Sequence, residues 1–213
     1  MNLPNKITVT RIILVFVVLI MANAYDKFLL PDGGLSHVGH TLQLACVILT
    51  IIAGLTDLLD GYIARKYNMV SDFGKLMDPL ADKIFATTIF LVFVDKVVVN
   101  PATHHPQSML PGWVVVVVLS REFLVTGLRS LAAGKGEIIS ADVFGKAKTA
   151  SQMAFFAFGG FIWMEWLPLA GAAKLLWGAA MWLVAGITVL SGLTYFIKYR
   201  HLYLADISQP AKT

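Results

Sequence analysis

Cysteine is nearly absent from this chain: among 213 residues only Cys46 carries a thiol. No disulfide framework is possible within the chain, and Cys46, inside a long apolar run, reads as a small core or lipid-facing residue. Charge is also scarce. Charged residues make up 14% of the sequence and apolar ones 57%, which excludes an ordinary soluble domain of this size. The net charge of +4 is modest, and its placement points to a membrane surface and away from nucleic acid. Internal repeats are missing, and no stretch suits a soluble domain. No Arg-rich transit segment is seen either, which favours a bacterial membrane over an organellar one.

What is present is a series of apolar runs of about 20 residues, the length that crosses a bilayer. They predict an all-α, polytopic membrane protein, one domain over 1–213, with six transmembrane helices at about 7–27, 41–64, 76–99, 113–131, 143–169 and 175–197. The intervening loops carry Pro31, Gly33 and Gly34, then Pro101, Pro106 and Pro111, all turn formers. His37, His40, His104 and His105 fall in these loops. Solvated histidines are the ordinary reading there, with metal ligands the alternative. The first run, with Ala22-Asn23-Ala24 at its end, also has the outline of a cleaved signal peptide. Cleavage would discard Arg11 and leave an odd number of spans, so the run is read as a retained helix. After the interfacial anchor Lys198, Arg200 and His201, the tail is expected to fray. Of the 17 lysines and arginines, only Lys27, Lys96 and Lys174 fall on one side of this arrangement. By the positive-inside rule, both termini and the candidate site residues face the cytoplasm.

Four acids interrupt the apolar pattern. Asp57 and Asp60 close the second run, and Asp78 and Asp82 open the third. Acids so near a bilayer are costly and should face a polar cavity. On a helix, Asp57, Asp60, Gly61 and Ala64 share one face; Asp78 and Asp82 share another, with Gly74 one turn earlier. Two such helices facing each other would converge four carboxylates, the oxygen set that hard cations such as Mg²⁺ take. Two metals held in this way can clamp both sides of a phosphoryl displacement. The small residues leave room for a ligand, and Arg65 offers a fork for phosphate.

The fourth predicted helix opens on five valines and then sets Ser120, Arg121 and Glu122 well inside its apolar span. Such charges need partners. Either Arg121 and Glu122 form a structural ion pair between helices, or Arg121 faces the cavity of the aspartates. Lys146 and Lys148 either line that cavity, with Thr149 and Gln152, or snorkel to lipid headgroups. The sixth helix shows no strong polar residue in its middle.

The spacing Asp57-x2-Asp60-Gly61-x2-Ala64-Arg65-x8-Gly74-x3-Asp78-x3-Asp82 resembles the signature of the CDP-alcohol phosphatidyltransferases, with every position filled. Three further segments, NLPNKITVTR at 2–11, SREFLVTGLRS at 120–130 and GKAKTASQ at 145–152, resemble the phosphatidylglycerophosphate synthase branch of that family. The resemblance covers roughly residues 1–155. It implies six membrane helices, a homodimer, and two divalent ions, Mg²⁺ or Mn²⁺, per site. It implies transfer of the phosphatidyl group of CDP-diacylglycerol to glycerol 3-phosphate with release of CMP. Carried over by position, Asp57, Asp60 and Asp78 would ligate metals, and Asp82 would ligate one and act as general base. Gly61, Ala64, Arg65, Ser71 and Gly74 would shape the CDP-diacylglycerol site, with Asn5 and Thr8 adding to it from the N-terminal segment.

The acceptor needs a holder of its own, because its dianionic phosphate must approach a diphosphate. Arg121 is the first candidate, followed by Lys146 and Lys148 and then Arg129. With the orientation above, the expected location is the cytoplasmic face of the cell inner membrane, among membrane lipids. Two readings compete. One stays within the family and takes serine, an inositol phosphate or phosphatidylglycerol as acceptor. The other is an ion-coupled transporter, which intramembrane Asp and Arg residues also mark. Transporters tend to show repeats and helices broken at the midplane, whereas these acids cluster at one membrane face.

Overall fold

The computed structural model describes residues 3–28, 36–66, 72–99, 106–137, 139 and 143–207. For some of these, among them 57–65, 75 and 146, only the backbone is described. The described chain is mostly helical: α1 (Leu3–Tyr25), α2 (His37–Lys66), α3 (Asp72–Asp95), α4 (Gly112–Gly134), α5 (Val143–Trp163), α6 (Gly171–Lys198) and α7 (Arg200–Ile207). A helix stands at each of the six expected places. Among the described residues three stretches are long and apolar enough to cross a membrane: Asn5–Phe28, His37–Thr56 and Gly171–Lys198.

Several boundaries differ from expectation, each for a local reason. Helix α3 stops at Asp95 rather than near 99, because Val97–Val99 (β1) pairs antiparallel with Pro106–Ser108 (β2). Three successive β-branched residues favour extended backbone, so the fold is not purely helical. Helix α3 also begins at Asp72, a turn earlier than expected. Pro79 therefore sits inside the helix instead of at its start, and it cannot donate a bond to the Lys75 carbonyl. Helix α5 ends at Trp163 rather than 169, where Glu165 takes a left-handed φ of 57° and Pro168 follows. His37 and His40 lie exposed in the first turn of α2, not in a loop. The tail expected to fray continues as α7, with the Tyr203 ring stacked 4.7 Å from that of Phe196. Ser71, His104 and His105 lie outside the described residues.

The chain divides into two compact units: Met1–Met109 with Gly159–Leu169, and Leu110–Phe158 with Ala170–Thr213. In the first, α1 packs on α2 and α3. Its buried positions include Thr8, Arg11, Val15, Val18, Ala22 and Tyr25, alternately three and four apart, which is one face of a helix. Ile13, Phe16 and Ile20 point outward. A buried arginine under an apolar outer surface inverts the pattern of a soluble helix and suits lipid surroundings.

Three polar contacts tie α1 and its end to α3 and its end: Thr8 to Asp78, Arg11 to Asp82, and Asp26 to Lys96. The sequence offset is 70 or 71 residues each time. A constant offset means that α1 and α3 run in the same direction and stay in register from end to end. At 1.5 Å per residue the outermost contacts stand roughly 27 Å apart, close to the ~30 Å thickness of a hydrocarbon core. The residues of α1 between them, Ile12 to Ala22, carry no polar side chain.

Lys96 closes the far end of this pair. It is 1% exposed; its Nζ lies 2.7 Å from Asp26 and 2.8 Å from Asp95, and 5.7 Å from the centre of the Tyr25 ring. Lys96→Ala removes the ion pairs and the packed stem together. It is expected to cost about 1–3 kcal/mol, read as a lower thermal unfolding midpoint in detergent. An unchanged midpoint would mean that the cluster contributes nothing to stability.

In the second unit α4 packs on α6, and α7 touches both. Trp177 of α6 stacks on Phe155 of α5 at 4.3 Å and meets Phe158 edge-on at 5.7 Å. Helix α4 is closed by Gly136, whose φ of 76° favours glycine. The N–H groups of 135–137 then satisfy the last carbonyls, those of Leu131, Ala132 and Ala133.

Candidate active site

The acids reach their positions through two helix ends and one neighbouring helix. Asp57, Asp60, Gly61, Ala64 and Arg65 all lie in the last third of α2. Their side-chain directions are outside the described set. Gly74, Asp78 and Asp82 lie in the first half of α3, and Asp78 and Asp82 share one face at i,i+4 spacing. Both are exposed, Asp82 with 56% of its side chain accessible, while Gly74 is buried.

Helix α1 lies alongside. The Thr8 hydroxyl donates to Asp78 Oδ1 at 2.8 Å, and Arg11 Nη1 donates to Asp82 Oδ1 at 3.0 Å. Asn5, Thr8 and Arg11 are all buried on the same stripe. Thr8 and Arg11 are one turn apart on α1, as Asp78 and Asp82 are on α3, so each acid has its own partner.

Arg11 is the residue that sequence reasoning missed. In the sequence it has no assigned partner or role: it stands as a charge that a cleaved signal peptide would discard and as the end of the segment NLPNKITVTR. The available signal was its place three residues after Thr8, at the border of an unbroken apolar run. An arginine that is 1% exposed needs an anionic partner, and Asp82 is one.

The described donors fit a hard divalent cation. Asp78 and Asp82 present carboxylate oxygens on an accessible face, and each carboxylate has lone-pair capacity beyond one accepted hydrogen bond. Among the described residues no group of three metal-ligating side chains is found; the side chains of Asp57 and Asp60 lie outside that set.

The second unit gathers the basic candidates. Arg121 sits in the middle of α4. Its Nη2 donates to Ser191 Oγ of α6 at 2.6 Å, and Nη1 lies 3.4 Å from Glu122 Oε1. Its guanidinium carbon lies 5.6 Å from the centre of the Tyr195 ring. Lys148 of α5 is buried and pairs with Glu122 as well. Arg129, two turns beyond Arg121, is 5.9 Å from the same Tyr195 ring, with Nη2 3.5 Å from its hydroxyl. The structure therefore brings Arg121, Arg129 and Lys148 together around Glu122 and Tyr195; the Lys146 side chain is outside the described set. Arg121 and Glu122 do touch, but within α4 rather than between helices, and that contact is one of several. Helix α6, which shows no strong polar residue in its middle, nevertheless buries the hydroxyl residues Thr188 and Ser191 there and Tyr195 one turn on. Isolated hydroxyls in an apolar run give a weak signal; their spacing of three and four was the available one.

These features describe a mostly helical membrane protein with, in one unit, an acidic pair held by its first helix and, in the other, a basic cluster. The chain belongs to the CDP-alcohol phosphatidyltransferase family, whose sequence profile matches residues 1–190. Among its relatives is the Bacillus subtilis protein named CDP-diacylglycerol–glycerol-3-phosphate 3-phosphatidyltransferase, 40% identical over 92% of this chain and 94% of its own. Proteins of the same name from Rickettsia typhi and Mycoplasma genitalium are 31% and 30% identical. They cover 92% and 99% of this chain, and 95% and 86% of their own length.

Proposed function

We propose that this protein transfers the phosphatidyl group of CDP-diacylglycerol to glycerol 3-phosphate, giving phosphatidylglycerol phosphate and CMP. The observation that carries the reading is similarity over nine-tenths of the chain to relatives named for that reaction, with the whole acidic spacing intact. In this reading the chain makes six spans, with both termini and the site at the cytoplasmic face of the inner membrane, and works as a homodimer.

Asp57, Asp60, Asp78 and Asp82 would hold two Mg²⁺ or Mn²⁺ ions. When bound, such ions neutralise the diphosphate and make CMP a better leaving group. Asp82 takes the proton from the attacking hydroxyl of glycerol 3-phosphate, because an alcohol is a poor nucleophile until a base assists it. The hydroxyl oxygen bonds to the phosphatidyl phosphorus. The bridging P–O bond breaks, and its electron pair leaves with CMP. Arg11 keeps Asp82 in one orientation through this step, and Thr8 does the same for Asp78. Asn5, Gly61, Ala64, Arg65, Ser71 and Gly74 bind and shape the CDP-diacylglycerol side. The test is an acceptor panel on purified protein: CDP-diacylglycerol with glycerol 3-phosphate, serine, an inositol phosphate or phosphatidylglycerol, following CMP and lipid product. CMP release with another acceptor alone would replace glycerol 3-phosphate, and no CMP with any would favour transport.

Arg121, Arg129, Lys146 and Lys148 hold the phosphate of the acceptor in this reading. A guanidinium grips phosphate through two parallel hydrogen bonds, whereas an ammonium is a point charge. Arg121→Ala should raise the apparent KM for glycerol 3-phosphate by about tenfold to a hundredfold, the range for a charge-assisted contact. The KM for CDP-diacylglycerol should change far less, and Arg121→Lys should restore only part of the loss. Equal effects on both constants, in protein that elutes normally, would make Arg121 a structural residue.

A further inference from the structure

Helix α6 carries no residue of the family's acidic spacing, yet it contacts both arginines of the basic cluster. Ser191 is fully buried and accepts from Arg121 at 2.6 Å. Tyr195 is 2% exposed and lies under two guanidiniums, 5.6 Å from that of Arg121 and 5.9 Å from that of Arg129. Its ring packs with Val125 and Leu128 of α4, the residues between those two arginines, so ring and cations are held by the same two turns. Gly192 lies between the two contacts. A methyl added there would come 3.2 Å from Arg121 Cγ, closer than carbon atoms normally pack. The backbone of α6 thus approaches the stem of Arg121 at a position where a side chain would push it away.

Two arginines eight residues apart on one helix repel each other and have many rotamers. A buried aromatic face attracts both, and the cost of ordering them is met before any anion arrives. We propose that Ser191, Gly192 and Tyr195 form a positioning platform on α6 that presets Arg121 and Arg129 for the phosphate of the acceptor. These three residues touch the arginines rather than the substrate, and they set affinity for a phosphorylated acceptor. The proposal rests on the acceptor-site reading of Arg121.

The test measures KM for glycerol 3-phosphate and for CDP-diacylglycerol, and inhibition by inorganic phosphate competing with glycerol 3-phosphate. Tyr195→Leu removes the aromatic face and should raise the acceptor KM and the phosphate inhibition constant together by about threefold to thirtyfold. Tyr195→Phe keeps the ring and should recover most of this. Ser191→Ala should weaken both by up to about tenfold, and Gly192→Ala should do so by displacing Arg121. Leu190→Ala, on the outward face of the same helix, is the control and should change nothing. If Tyr195→Leu fails to fold, Ser191→Ala and Gly192→Ala decide. Should Arg121→Ala raise the acceptor KM selectively while the α6 variants do not, the platform is refuted and the acceptor site stands. Should Arg121→Ala affect both substrates equally, the acceptor site itself fails. A loss of thermal stability in the α6 variants with both constants unchanged would make their role purely structural.

Discussion

Asp82→Asn is expected to keep its affinity for CDP-diacylglycerol and to lose turnover by at least the 10²–10⁴-fold typical of general-base assistance. Lost metal ligation would add to that fall. Asn matches Asp in size and still accepts a hydrogen bond from Arg11 Nη1, which lies 3.0 Å from Asp82 Oδ1. The variant therefore isolates the proton acceptor from the fold around it. Nucleotide competition reports binding and CMP release reports turnover. If binding vanishes along with turnover, Asp82 is chiefly a metal ligand. Arg11→Ala should follow part of the way, since a residue that orients a ligating carboxylate typically contributes about 10–100-fold. Arg11→Lys keeps the charge without the planar fork and should fall between the two.

Chelation should have the larger effect. In the two-metal reading Asp57, Asp60, Asp78 and Asp82 hold the cations that neutralise the diphosphate, and a chelator withdraws them. EDTA is expected to abolish CMP release, and added Mg²⁺ or Mn²⁺ to restore it. Asp57→Asn, Asp60→Asn and Asp78→Asn should each lose activity through weaker metal affinity. Mn²⁺ binding followed by its electron paramagnetic resonance signal should weaken in step, which separates lost metal from lost chemistry. Full activity in metal-free buffer would end the two-metal mechanism. Thr8→Val removes only the hydroxyl that donates to Asp78 and should weaken Mn²⁺ binding less than Asp78→Asn does.

The sequence by itself determined the helical character, the family, and the residues of the acidic motif. Apolar runs of bilayer length and fixed acidic spacing are local properties, visible along one chain without knowledge of its neighbours. It determined helix ends less well. Val97–Val99 leaves the helix because it finds a partner strand at Pro106–Ser108, and such pairing is non-local. Only the tertiary structure decided that Arg11 meets Asp82, Thr8 meets Asp78 and Lys96 meets Asp26. Those contacts join residues about 70 positions apart, and their register follows from how α1 packs along α3. Tyr195 and Ser191 were illegible for the same reason: two hydroxyls in an apolar helix are unremarkable until the helix opposite sets arginines against them. A buried charge has to be matched by whatever packing brings near it, and packing is the one thing that a linear pattern does not contain.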